Sequence, residues 1–232
     1  MQNKAHLTEL KKTQEREKEL LQKVAQLEEE NRKLSASKQS SEKLKEQFQQ
    51  ASQGLTAVDW VNKASALWAE GKYIDPQKAI KYLNSAIKLQ SDYAEAYYNR
   101  GLAYYNLDQY QRAIEDYNEA IRLQPDLAEA YCNRGNAYKN LGHNQRAIED
   151  YNEAIRLQPD LAAAYYNKGN AYYNLDQYQR AIEDYNEAIR LQPDYAEPYY
   201  NRGIAYNNLG QNQRAIEDYN EAIRLKPNLA KT

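Results

Sequence analysis

Residues 94–127 read AEAYYNRGLAYYNLDQYQRAIEDYNEAIRLQPDL, and the chain then writes nearly the same 34 letters three more times, ending at Leu229. The later copies are AEAYCNRGNAYKNLGHNQRAIEDYNEAIRLQPDL, AAAYYNKGNAYYNLDQYQRAIEDYNEAIRLQPDY and AEPYYNRGIAYNNLGQNQRAIEDYNEAIRLKPNL. Self-similarity at such a period marks an array of small supersecondary units, each unable to bury its own apolar face and stable only when stacked on a neighbour. Each copy carries two stretches of helical period, about Ala94 to Leu107 and about Gln111 to Leu123 in the first. Small residues stand where the helices must approach closely. Pro125, Pro159, Pro193 and Pro227 fall between copies, where a helix has to stop. Asp126 with Glu129 reads as a capping box for the following helix, as do Asp92 with Glu95 and Asp194 with Glu197. The third copy lacks the box, having Ala163 where glutamate would stand. Copies one and three share LDQY while two and four share LGxN, so a pair has been duplicated.

With an aromatic at position 4, glycine at 8, aromatics at 11 and 24, alanine at 20 and proline at 32, the copies resemble the tetratricopeptide repeat. In the first copy these residues are Tyr97, Gly101, Tyr104, Tyr117, Ala113 and Pro125. The resemblance implies an all-α, right-handed superhelix, an α-solenoid, with units 94–127, 128–161, 162–195 and 196–229. Position 7, usually leucine in the family, is Arg100, Arg134, Lys168 and Arg202 here. Their stems are expected to cover apolar surface while the charges reach water. Upstream, residues 60–93 fit a degenerate unit. Asp75 is placed to cap a helix beginning at Pro76, and Ala79, Leu83, Ala86 and Leu89 match the later small and apolar positions. The first half of that unit departs further, with Leu67 where glycine belongs.

Residues 1–43 are dominated by Lys, Glu, Gln and Leu and read as one long charged helix, followed by a connecting or capping helix over 44–59. Leu20, Val24, Leu27, Asn31 and Leu34 follow a heptad seam with the polar residue at an a position, which predicts a parallel homodimeric coiled coil. The seam is only about two heptads long, and a solvated single helix is the alternative.

In the first helix of each copy, positions 2, 6, 9 and 13 share one stripe, because steps of four, three and four follow the helical period. Position 6 is Asn99, Asn133, Asn167 and Asn201, and position 13 is Asn106, Asn140, Asn174 and Asn208. Asparagine is a poor helix-interior residue, so two unbroken columns call for a reason. Amides both donate and accept, and a column of them can pair with the backbone of an extended peptide whatever its side chains. The position 6 column resembles the asparagine ladder in the repeats of O-linked N-acetylglucosamine transferase, which implies a concave peptide-binding face; no transferase domain accompanies it. Family-wide use of asparagine at position 6 and wholesale duplication account for the same columns without a ligand. Tyr98, Tyr166 and Tyr200 at position 5, with Tyr105 and Tyr173 at position 12, are expected to flank the ladder and supply apolar contact. A carboxylate clamp of the chaperone-binding kind is not expected. It uses lysines at positions 2 and 5, where this chain has Glu95, Glu129, Ala163 and Glu197, and tyrosine or Cys132.

Other chemistry is sparse. His6 and His143 have no metal-ligand spacing, no phosphate-cradling glycine loop or nucleophile elbow is present, and neither a cofactor, a metal nor a catalytic residue is expected. Glu115, Asp116 and Glu119, recurring beside Arg112 and Arg122, read as a solvated face with i,i+3 and i,i+4 pairing. Cys132, the single cysteine, reads as drift from tyrosine and excludes an internal disulfide. With 31 basic and 33 acidic side chains the net charge of −2 offers no pull toward nucleic acid or an anionic membrane. No leader-like or membrane-length apolar run occurs, so a cytoplasmic location is expected. The expected role is a non-enzymatic scaffold holding an extended segment of a partner protein in its groove. A self-assembling structural solenoid and a regulatory arm of a larger enzyme are the alternatives.

Overall fold

The computed structural model describes residues 2–33 and 54–227. The chain divides into two compact units at the Trp60–Val61 junction. In the first unit, helix α1 spans Gln2–Lys33. Of the proposed seam, Val24 is fully buried in the single chain, Leu20 and Leu27 are half-buried and Asn31 is exposed; Leu34 lies outside the described residues, as does most of the 44–59 segment. Helix α2, Ala57–Ser65, begins with a reciprocal cap. Thr56 N donates to Asp59 Oδ2 at 2.6 Å and Asp59 N donates to Thr56 Oγ1 at 3.2 Å.

The first half of the degenerate unit is short of helix. After Ser65 the chain forms an antiparallel hairpin, β1 (Trp68–Ala69) and β2 (Lys72–Tyr73). It turns through Glu70 and Gly71, whose φ values are 51° and 78°. Its second half is helix α3, Pro76–Leu89, and Asp75 Oδ1 accepts from Lys78 N at 3.0 Å as the sequence predicts.

The second unit continues as a right-handed solenoid of four helix pairs. These are α4 (Ala94–Tyr105) with α5 (Tyr110–Leu123), α6 (Ala128–Asn140) with α7 (Asn144–Leu157), α8 (Ala162–Tyr173) with α9 (Tyr178–Leu191), and α10 (Ala196–Asn208) with α11 (Asn212–Leu225). Within a pair, the glycine at position 8 lets the tyrosine at position 24 lie on the helix backbone. A Cβ on Gly135 would meet Tyr151 Cε1 at 2.8 Å, closer than any side chain tolerates. Between pairs, Ile148 packs with Ala164 and Ala171 of the next copy, and Ile182 with Ala205. The turn inside each copy needs a left-handed residue. Gly142 and Gly210 supply it in copies two and four, and Asp108 and Asp176 in copies one and three, each at φ 57°.

The capping boxes expected at the copy boundaries do not form. The residue at the cap is Tyr93, Leu127, Leu161 or Tyr195, without a side-chain bond, because each aspartate stands one position too early. A backbone turn replaces the cap, as when Ala130 N donates to Leu127 O at 3.0 Å.

The charges at position 7 also depart from expectation. Arg134 turns inward instead of extending into water: its Nε and Nη2 grip Asp150 at 2.8 and 2.6 Å, and its Nη1 donates to Asn118 of the preceding copy at 2.7 Å. Arg100 repeats the arrangement with Asp116 and Asn84, and Arg202 with Asp218 and Asn186. Asp116, expected on a solvated face, is buried together with Asp150, Asp184 and Asp218. The solvated pairing predicted alongside it is present one turn on, where Arg122 meets Glu119 at 2.6 Å. That pair is exposed and contributes little.

Lys168 is the exception at position 7. It offers one ammonium where the others offer a fork, reaching Asp184 at 3.0 Å and Asn152 at 3.2 Å. Burial, only partly offset by Lys168, pushes the Asp184 carboxyl up to about 6. An acid whose folded pKa is raised contributes stability that is complete below its unfolded value and is lost as pH rises through the folded one. Lys168→Arg restores the two-point grip, so it is expected to stabilise the chain by about 1.5 kcal/mol at pH 7. As pH falls from 7 toward 4, Asp184 opposite Lys168 takes up its proton, and the gain should shrink. Thermal melts of both proteins across this range check it; a gain that does not change with pH contradicts the assignment.

Candidate functional site: the face of the first helices

The first helices of adjacent copies lie side by side, and their facing side chains are stitched together one period plus one residue apart. Asn133 Nδ2 donates to Tyr98 Oη at 3.0 Å and Asn201 Nδ2 to Tyr166 Oη at 3.1 Å. One turn on, Asn140 Nδ2 donates to Tyr105 Oη at 2.8 Å and Asn208 Nδ2 to Tyr173 Oη at 3.1 Å. Tyr98, Tyr105, Tyr166 and Tyr173 are thus hydrogen-bonding partners of the next copy's asparagines. Asn106 Oδ1 accepts from the backbone N–H of Tyr73 at 2.9 Å, which ties the degenerate unit to the same row. Asn99, Asn133, Asn167 and Asn201 are half-buried. Asn140, Asn174 and Asn208 are exposed, and Asn106 is half-buried. Tyr200 is also exposed, with its ring 5.7 Å from that of Tyr219.

The stitching is interrupted at the second copy, where position 5 is Cys132 and position 12 is Lys139. Without tyrosines to meet, Asn167 Oδ1 accepts from Lys139 Nζ at 3.2 Å, and Asn174 Nδ2 turns to Asn144 Oδ1 at 3.3 Å. Burial pushes the Cys132 thiol up to about 12, which makes it an inert apolar filler rather than a nucleophile. Burial likewise lowers the pKa of Lys139. Beside this interruption opens a cavity of about 280 Å³ lined by Lys139, Asn170, Tyr173, Asn174, Tyr185, Asn201 and Ile204, all on copies two to four.

Two groups of residues escaped the sequence reading. Asn136 and Asn170, at position 9, accept from the buried hydroxyls of Tyr151 and Tyr185, each at 2.8 Å. Leu102 stands at position 9 of the first copy, and there the Tyr117 hydroxyl has no partner among the described residues. The second is Lys139, whose signal was a lone lysine in a column otherwise of tyrosine and asparagine.

No group of residues that could hold a metal ion, and no helix long and apolar enough to cross a membrane, occurs among the described residues. A stacked array with a continuous inner face defines the class of protein: a helical-repeat scaffold whose partners are proteins or peptides. Family models narrow the class. Models described as TPR repeat match residues 66–108 and 169–210, and tetratricopeptide-repeat models match 94–127, 128–161, 196–229 and 150–183, together spanning 66–229. The chain is a tetratricopeptide-repeat protein. Among solved structures, a crystal structure of MamA is 28% identical, with a TM-score of 0.63 over 68% of this chain and 92% of that one. MamA from Desulfovibrio magneticus RS-1, residue 41 to its end, is 23% identical, with a TM-score of 0.66 over 74% and 95%. YrrB, described as a TPR protein with an unusual peptide-binding site, is 22% identical, with a TM-score of 0.60 over 74% and 87%. No curated protein matches the chain.

Proposed function

We propose that the chain is a non-enzymatic adaptor that holds an extended segment of a partner protein along the first-helix face, using the asparagine columns to pair with its backbone. The observation that carries this reading is the orientation of the amides. Asn133 and Asn140 each spend one hydrogen on a tyrosine hydroxyl of the preceding copy, and Asn201 and Asn208 each spend a second as well, on Asn170 Oδ1 and Ile204 O. Those bonds fix the planes of the amides and leave a second hydrogen on Asn133 and Asn140, and lone-pair capacity on all four, to meet a peptide unit, so little rotamer entropy remains to be lost on binding. The peptide-binding site in YrrB's description belongs to that protein; the reading here rests on the amides of this one. Peptides selected on the intact chain from a random display library supply the probe. With both Asn133 and Asn167 changed to alanine, the dissociation constant of such a peptide is expected to rise about tenfold or more while far-UV circular dichroism stays the same. An unchanged constant removes the ladder from the reading.

A further inference from the structure

The cavity beside Lys139 has a chemical bias that the repeat pattern does not have elsewhere. Asn170 Oδ1, on its wall, already accepts from both Tyr185 Oη and Asn201 Nδ2, each at 2.8 Å, and so has no lone pair to offer. Asn167 Oδ1 is taken by Lys139. Two donors face the space: the Lys139 ammonium uses one of its three protons, and Tyr173 Oη, which accepts from Asn208, keeps its own hydrogen, while the amide oxygens of Asn174 and Asn201 are the acceptors in the lining. Lys139 forms no ion pair among the described residues, in contrast to Lys168 and Lys226, which meet Asp184 and Glu197. A half-buried cation without a counter-ion is costly, and a ligand that brings the missing charge removes that cost. At about 280 Å³ the space admits a carboxylate with a few waters, each occupying roughly 30 Å³.

We infer that this cavity is a subsite for one carboxylate of the bound segment, gripped by Lys139 and Tyr173 where copies two, three and four meet. The inference rests on the reading of the groove as a peptide site and adds to it a single chemical preference. It differs from a carboxylate clamp, because position 12 supplies the cation. The carboxylate comes either from an internal Asp or Glu or from the end of a chain, and the test separates the two.

Three synthetic peptides serve as probes of the full chain, followed by NMR of its amide and side-chain signals. One is acetylated and amidated with a central glutamate, the second replaces that residue with glutamine, and the third is the glutamine peptide with a free carboxyl end. The expected result is at least tenfold tighter binding of one carboxylate peptide over the capped glutamine peptide, with shifts centred on Lys139, Asn170 and Tyr173. Lys139→Gln should abolish the preference and Lys139→Arg should keep it. Preference for the glutamate peptide assigns an internal side chain, and preference for the free end assigns a terminus. Equal binding of all three, weakened by the paired asparagine substitutions, overturns the carboxylate subsite and leaves the ladder standing. No binding by any of them, or a preference that survives Lys139→Gln, overturns the subsite as well; the first also counts against the groove reading.

Discussion

Asp150→Ala is expected to cost about 3–5 kcal/mol, because it strands a charge that has nowhere to go. Arg134 is largely enclosed, with a side-chain exposure of 18% against 8% for Asp150, and both of its forked contacts to the carboxylate disappear together. Its remaining bond, to Asn118, is to a neutral amide. The counterpart is Arg134→Leu combined with Asp150→Leu, which removes both charges and returns position 7 to the leucine common in the family. That variant should recover most or all of the loss, since replacing a whole buried pair by apolar side chains is often neutral or stabilising. Urea titration combined with hydrogen exchange is the suitable measurement, because repeat arrays open unit by unit and a single midpoint hides where the damage lies. A single substitution costing less than about 1 kcal/mol would falsify the buried-pair assignment.

Ile182→Ala is expected to cost about 2–5 kcal/mol, and Ile216→Ala, the same change one copy later, about 1 kcal/mol or less. The two residues occupy the same position of near-identical helices. Ile182 is 3% exposed, packed toward Ala205 of the following copy, whereas Ile216 is 53% exposed. The difference therefore measures stacking between copies with side-chain chemistry and helix propensity held constant. Exchange protection around α9 should fall in the first variant and barely change around α11 in the second. Equal losses would mean that the isoleucine contributes within its own helix pair.

The helical fold and the Asp75 cap were legible because period, proline and the small residues are local signals that recur in register. The hairpin at Trp68–Tyr73 was not, since Leu67 in place of glycine announced a departure without saying which. The buried pair was hidden for a different reason. Arg134 and Asp150 are sixteen residues apart, on two helices, and no helical spacing connects them. The clue was the repetition in every copy of a basic residue at position 7, lysine in the third, with an aspartate sixteen residues on. The tyrosine–asparagine bonds span 35 residues and are visible only once neighbouring first helices are known to lie side by side. The tyrosine partners of the asparagines belong to the preceding copy, which no spacing within one helix reveals.

The chain of Asn–Arg–Asp links also bears on elasticity. Three of its four joints are short and two-pronged at the aspartate; the joint between copies two and three is a single longer reach from Asn152 through Lys168. A coil with one weak rivet does not stretch evenly. Tension applied at its ends should draw out that joint, near Lys139, before the others.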